Sequence, residues 1–301
     1  MRTRIITGLV MAAIGIPLLI FSPVEVFIGL GVLLSLIATY EILHMFETKN
    51  EVKYSFLSKV LIYTISAYEN LSLSLSFYML KKGYDVPIGS VLGIALFVMM
   101  LVIGFLLVFD KTIDSTNGGK MLLVINYVGI GFASIPMLSM YGRGLLFYII
   151  VVASFTDMFA YFFGVALGTK IIKRRPAPVI SPKKSFEGCI AGTIFGTVFG
   201  VLVFIFYNEL FDEGNTLFVN ICKFDNKALE IVIIILITLF ASFVGQIGDL
   251  VASKLKRDND IKDYGKIFPG HGGVMDRFDS SLFISIFLII IFLFLGVILP
   301  L

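Results

Sequence analysis

Three aspartates, Asp249, Asp276 and Asp279, are the residues of this chain best suited to chemistry. Gln246, Asp249, Ser253 and Lys256 follow one another at spacings of 3, 4 and 3, which sets them on one stripe of a helix with Arg257 alongside. A carboxylate at the end of a long apolar run is costly, roughly 2.5 to 3.5 kcal/mol at the bilayer centre and less near its surface. Asp249 therefore needs a partner, either a neighbouring Lys or Arg in a structural ion pair or a metal ion at the water boundary. Downstream, Phe268 to Gly273 reads FPGHGG, and Gly270, Gly272 and Gly273 permit positive φ and close approach of backbone N–H groups to an oxyanion. Asp276 and Asp279, three residues apart, share a face in the first turn of the next helix, near the positive end of its dipole. With Asp249 they make an oxygen-rich set of the kind Mg2+ chooses, an ion that keeps several waters and shares its remaining positions with substrate phosphates. Lys256, Arg257, Lys262 and Arg277 surround the set with positive charge. His271 has three readings: donor to a phosphate, orienting partner of an aspartate, or a hydrogen bond to its own loop.

A second basic loop, Lys170 to Gly188, reads KIIKRRPAPVISPKKSFEG and runs into another helix. Pro182 or Ser185 marks the helix start, so free backbone donors and the dipole meet Lys183 and Lys184 there. Ser181, Lys183, Lys184, Ser185 and Glu187 are accordingly expected to bind an anion. Lys173, Arg174 and Arg175 are equally explained by the general loading of basic residues on the inner side of a membrane.

Asp157, within SFTDMFAYFFG, lies 13 residues before Lys170 and so roughly 20 Å along a straight helix from it. An acid so deep in an apolar segment carries a functional hypothesis. Catalysis, lining of a polar cavity and helix packing against Tyr161 all remain open for it.

The elements that must position these groups are membrane helices. Of 301 residues 58% are hydrophobic, more than one soluble core of this length can hide. Runs of about 20 apolar residues, enough to cross ~30 Å of hydrocarbon, recur along the chain. The expected spans are Ile5 to Phe21, Val24 to Met45, Leu57 to Leu80, Pro87 to Phe109, Met121 to Tyr141, Leu145 to Leu167, Phe186 to Tyr207, Leu229 to Val251 and Leu282 to Leu299. The third is the weakest, because Glu69, Asn70 and several serines interrupt it. The result is an all-α polytopic bundle of nine spans. The chain is expected to be a single membrane domain, with residues 1–142 as scaffold and lipid groove and 143–301 as the catalytic spans and loops.

Placing the N-terminus in the cytoplasm puts every basic residue except Lys81, Lys82, Arg143, Lys223 and Lys227 on the inner side. Such a face suits anionic head groups or nucleotide phosphates. Cys189 and Cys222 lie at opposite ends of the seventh span and its outer loop, so no disulfide framework or zinc site is indicated. No nucleic-acid partner is expected.

At these residues the sequence resembles the integral membrane phosphatidate cytidylyltransferases, the CDP-diacylglycerol synthases. Ser253, Leu255, Lys256, Arg257, Lys262, Asp263, Gly265, Phe268, Pro269, His271, Gly272, Gly273, Val274, Asp276, Arg277, Phe278 and Asp279 match the C-terminal signature of that family with its spacing intact. SPKKSFEG and TDMFAYFFG add weaker likeness, and the similarity runs from Thr156 to Ser281. The resemblance implies that CTP and phosphatidic acid give CDP-diacylglycerol and pyrophosphate, with Mg2+ required. It further implies Asp249 and Asp276 as metal ligands, Asp279 as a ligand or its outer partner, and phosphate binding by Lys183, Lys184, Ser185 and the Gly272 and Gly273 backbone. Lys256, Arg257, Lys262 and Arg277 would neutralise substrate or leaving group. A homodimer, membrane lipid around the acyl chains and an active site facing the cytoplasm from the plasma membrane belong to the same expectation. Two other readings compete: a related membrane enzyme using CTP on an ether lipid phosphate or a polyprenol, and a secondary transporter in which Asp157 and Asp249 bind coupling ions. Transporters commonly show repeat symmetry between halves, which the polar residues of this chain do not follow.

Overall fold

The computed structural model describes residues 2–50, 53–168, 170, 172–206 and 227–294. Among them lie nine helices: α1 (Arg2–Phe21), α2 (Val24–Asn50), α3 (Phe56–Lys81), α4 (Ile88–Phe109), α5 (Ser115–Tyr141), α6 (Arg143–Leu167), α7 (Phe186–Ile205), α8 (Lys227–Asp258) and α9 (Met275–Phe294). Each expected span is met by one of them. Tyr207, Cys222 and residues 295–299, where three of the expectations fell, lie outside the described residues.

Seven of the nine, α2 and α4 to α9, are long and apolar enough to cross a membrane. The chain is an integral membrane protein. The α3 helix does not reach that hydropathy, for the reason visible in its sequence: Ser58, Ser66, Glu69, Asn70, Ser74 and Ser76 are all buried on it. The described apolar part of α1, Ile6–Phe21, is shorter.

The chain divides into two compact units. The first holds α1 to α5 and the segment Asp258–Arg277; the second holds Tyr141–Arg257 and resumes at Phe278. The signature segment is shared between the units.

In the second unit, α7 carries Gly188, Gly192, Gly196 and Gly200, one per four residues on one face. This small-residue stripe brings α7 close to α6, so that a Cβ at Gly192 would stand 2.6 Å from the Thr156 carbonyl oxygen and 2.9 Å from Ala160 Cβ. At Gly200 the neighbours are Val152 of α6 and Thr238 of α8. Hydroxyls join α6 to α8. Tyr148 donates to Thr238 Oγ1 at 2.8 Å, and Thr156 and Ser242 share a bond of 2.6 Å. Bonds of this type are worth about 0.6 kcal/mol each inside a bilayer. Together they hold α8, the helix that carries Asp249, against α6.

In the first unit, Ser55 caps α3 by accepting the Ser58 N–H at 3.1 Å. The hydroxyls of Ser55 and Ser58 both donate to Asp110, which ends α4. A carboxylate thus fastens the start of one helix to the end of the next.

Candidate functional site

The FPGHGG loop is a tight turn closed by backbone bonds. Phe268 N–H donates to the Gly272 carbonyl at 2.9 Å, while His271 and Gly272 N–H groups return to the Phe268 carbonyl at 2.8 and 3.1 Å. Gly270 and Gly272 take φ of +78° and +88°, a region that a side chain opposes.

Two buried carboxylates anchor the junction between this loop and α9. Asp276, 8% exposed in the first turn of α9, accepts through Oδ2 from the N–H of Tyr264 at 2.7 Å and of Gly273 at 2.9 Å. Glu41, 2% exposed on α2, accepts from Val274 N–H and Met275 N–H at 2.9 Å each. A helix N-terminus presents several unsatisfied donors and partial positive charge, and Glu41 answers both. Gly265 and Gly273 pack against the Glu41 carboxylate so closely that neither has room for a Cβ.

These bonds redistribute the expected anion donors. The amides of Gly272 and Gly273 are engaged inside the loop, to Phe268 and Asp276. The groups turned to the outside are side chains. Lys262, Lys266, His271 and Arg277, with Asp263, line a cleft of about 590 Å3 beside the loop. That size lies in the range of small-molecule sites, and its charge balance favours an anion. His271 Nδ1 is buried with no hydrogen-bond partner among the described residues. Its ring rests against α1, Cε1 being 3.9 Å from where a Cβ of Gly8 would stand, and Thr7 donates to the Pro269 carbonyl at 3.0 Å.

In the second unit, Lys184 forms an ion pair with Asp249, the two side chains being 19% and 26% exposed. The structural ion pair offered for Asp249 from its sequence is therefore present. Gln246, one turn before Asp249, donates to Thr193 Oγ1 at 2.8 Å and to the Cys189 carbonyl at 3.1 Å, which aligns α8 with α7. Asp279 is brought to the same end of α8: a Cβ at Gly248 would lie 2.8 Å from the Asp279 carbonyl oxygen. Its own carboxylate accepts the Ser280 N–H at 2.8 Å.

The residues of the second basic loop differ in what they hold. Ser185 is the N-cap of α7, accepting from Gly188 N–H at 3.1 Å. Glu187, 7% exposed, accepts the Ile172 N–H at 2.7 Å and ties the incoming chain to the helix. Both thus serve the loop itself, whereas Lys183 is exposed and Ser181 half-buried. On α8, Ser253 is half-buried, Lys256 buried and Arg257 exposed. Asp157 sits on an exposed face of α6 beside Tyr161, itself 67% exposed.

Among the described residues no three His, Cys, Asp or Glu side chains are gathered into a ready metal cage. The donors available are carboxylate oxygens, with a lysine already balancing Asp249. That chemistry fits Mg2+, which needs only one or two protein carboxylates when water and phosphate supply the rest.

Glu41 was missed from the sequence, although an acid inside the apolar run IATYEILHM is a signal of the kind that marked Asp157. Lys266, which also lines the cleft, carried no expectation from the sequence.

Comparison with known proteins covers both units. The model of the cytidylyltransferase family matches residues 2–295. A phosphatidate cytidylyltransferase of Bacillus subtilis is 38% identical over 202 residues, 66% of this chain and 67% of the relative. One of Staphylococcus haemolyticus is 30% identical over 285 residues, 94% of this chain and 96% of the relative, and one of Staphylococcus saprophyticus is 28% identical over 284 residues, with the same shares covered.

Proposed function

The chain belongs to the cytidylyltransferase family and is a nucleotidyltransferase, and from that premise we propose that it converts CTP and phosphatidic acid into CDP-diacylglycerol and pyrophosphate. The observation that carries the proposal is the cleft of Lys262, Lys266, His271 and Arg277 beside a loop pinned from within by Glu41 and Asp276.

A phosphate oxygen of phosphatidic acid attacks the α-phosphorus of CTP. The bond from that phosphorus to the bridging oxygen breaks, and pyrophosphate leaves with its electron pair. The nucleophile is already ionised, so acid-base help is minor; the barrier lies in bringing anions together and in stabilising charge on the phosphoryl oxygens. Lys262, Lys266 and Arg277 neutralise the phosphates, and His271 donates to them. Lys183 and Lys184 receive the second anionic group near Asp249, with Lys256 and Arg257 adding positive charge. The carboxylates proposed to hold Mg2+ are those of Asp249 and Asp276, with Asp279 as a further ligand or its support. A bound Mg2+ supplies charge neutralisation at the phosphoryl oxygens.

The lipid substrate fits a protein of apolar helices, whose outer surface accommodates the acyl chains while the phosphate meets the basic loops. The positive-inside distribution supports a cytoplasmic site on the plasma membrane, and a homodimer is part of the same proposal.

The test is turnover of labelled CTP by protein purified in detergent, with phosphatidic acid, an ether lipid phosphate and a polyprenol phosphate as acceptors, with and without chelator. Phosphatidic acid should give a labelled lipid and release pyrophosphate, and chelator should stop both. An inert phosphatidic acid beside a reactive alternative would replace the substrate, and chelator-resistant turnover would remove the metal.

A further inference from the structure

The ion pair of Lys184 and Asp249 is set up by backbone on both sides. Ser185, next to Lys184, caps α7, and the Lys184 amide closes a turn onto the Ser181 carbonyl at 3.1 Å. One turn before Asp249, Gln246 ties α8 to Thr193 and to the Cys189 carbonyl of α7. The two charged side chains therefore extend toward each other from segments that are already fixed.

As a permanent structure the pair is incomplete. An ammonium has three protons to donate. Lys184 Nζ is buried and makes no hydrogen bond among the described residues, so Asp249 serves it as a counter-charge while its donors go unserved. The side chains are 19% and 26% exposed, which puts the pair within reach of solutes from the water.

A carboxylate alone in an apolar helix is costly, and so is a buried ammonium without acceptors. Each tolerates the other, yet each would gain from a stronger partner. For Asp249 that partner is a divalent cation, whose attraction at equal distance is double that of an ammonium. For Lys184 it is a group of phosphate oxygens, which accept charge-assisted hydrogen bonds from several donors. A metal ion arriving alone would displace Lys184 and leave it without a counter-charge. The same ion arriving with a nucleotide brings the anion that Lys184 lacks.

Resting on the reading of Asp249 as a metal ligand given above, we propose that Lys184 holds the place of the metal at Asp249 in the substrate-free protein, and exchanges Asp249 for a nucleotide phosphate when the two arrive together. Lys184 thereby makes metal binding depend on nucleotide, and by linkage the dependence is reciprocal.

Binding of Mn2+, a divalent ion with the same preference for carboxylate oxygen as Mg2+, tests this without turnover. The probe is the resonance signal of the free ion, titrated against substrate-free protein in detergent. Lys184→Gln, which removes the competing charge, should bind Mn2+ about tenfold more tightly than the unaltered protein. Lys184→Arg, which restores an ion pair, should return the affinity to its original value, a recovery that loss of packing alone would not give. Adding Asp249→Asn to Lys184→Gln should abolish the gain. Equal Mn2+ affinity in Lys184→Gln and the unaltered protein would overturn the proposal. If Asp249→Asn still weakened Mn2+ binding in that case, the metal reading of Asp249 would survive; if Asp249→Asn changed nothing either, both would fall. Should Lys184→Gln not fold, acetylation of Lys184 by acetic anhydride, read by peptide mass spectrometry, decides the matter on the unaltered chain. Saturating Mn2+ should raise it severalfold by releasing the ammonium, and unchanged labelling would overturn the exchange.

Discussion

Glu41 and Met275 stand 234 residues apart in the chain and 2.9 Å apart in the structure, the carboxylate of one accepting the amide proton of the other. Because Val274 donates to the same carboxylate, a side chain of the second helix ends the signature loop and starts the last helix. A residue of the half expected to act as scaffold therefore shapes the signature loop.

Removing that carboxylate should be costly in two ways. Glu41→Ala leaves two buried amides without an acceptor, about 1 to 3 kcal/mol for each. The unfolding midpoint should fall and turnover should drop at least tenfold. Glu41→Gln keeps one acceptor oxygen and should fall between. Thermal unfolding and labelled-CTP turnover check both, and an active, fully stable Glu41→Ala would show that the loop holds its shape unaided.

For Asp249 and Asp276, replacement by Asn preserves size while removing charge. Turnover should fall by two orders of magnitude or more, on the order of 3 kcal/mol in the barrier, while the protein stays folded in the membrane. Rates like those of the unaltered protein in either variant would move the metal to other residues. Asp276→Asn should also lose some stability, since its Oδ2 holds the Tyr264 and Gly273 amides.

The glycine stripe of α7 makes a purely structural prediction. Gly192→Ala places a methyl group 2.6 Å from the Thr156 carbonyl oxygen and should destabilise the protein by about 1 to 3 kcal/mol. Gly93→Ala on α4 meets nothing within 4 Å and should be neutral or slightly stabilising. Unfolding of the two variants side by side tests the close approach of α6 and α7.

Asp110 gives a pH dependence. Burial alone would raise its carboxyl, but the hydroxyls of Ser55, Ser58 and Thr112 and the Thr112 amide hold it well below the usual carboxylate range. A pKa lower in the folded than in the unfolded state contributes stability in full above the unfolded value, about 4. That contribution is lost as pH falls from there toward the folded value. The midpoint should therefore decline more steeply below about pH 4 in the unaltered protein than in Asp110→Asn. Parallel acid profiles would mean that the Ser55 and Ser58 bonds add no stability.

Much of this protein was legible without its structure. Apolar runs marked the nine helices found among the described residues, seven of them long and apolar enough to cross a membrane, because hydrocarbon forces each such segment to satisfy its backbone internally and leaves little other choice. The weak hydropathy of α3 was visible in Glu69, Asn70 and the serines. The signature from Ser253 to Asp279 gave the chemistry, since residue types at fixed spacing survive without knowledge of their neighbours. Contacts between distant segments were not legible. Nothing local to Glu41 says that it will meet Val274 and Met275, and nothing local to Lys184 says that its partner is Asp249. Nor does FPGHGG reveal that the amides of Gly272 and Gly273 are engaged by Phe268 and Asp276. Such pairings depend on which helix packs beside which, and that is decided by small residues, hydroxyls and buried carboxylates acting across long stretches of chain.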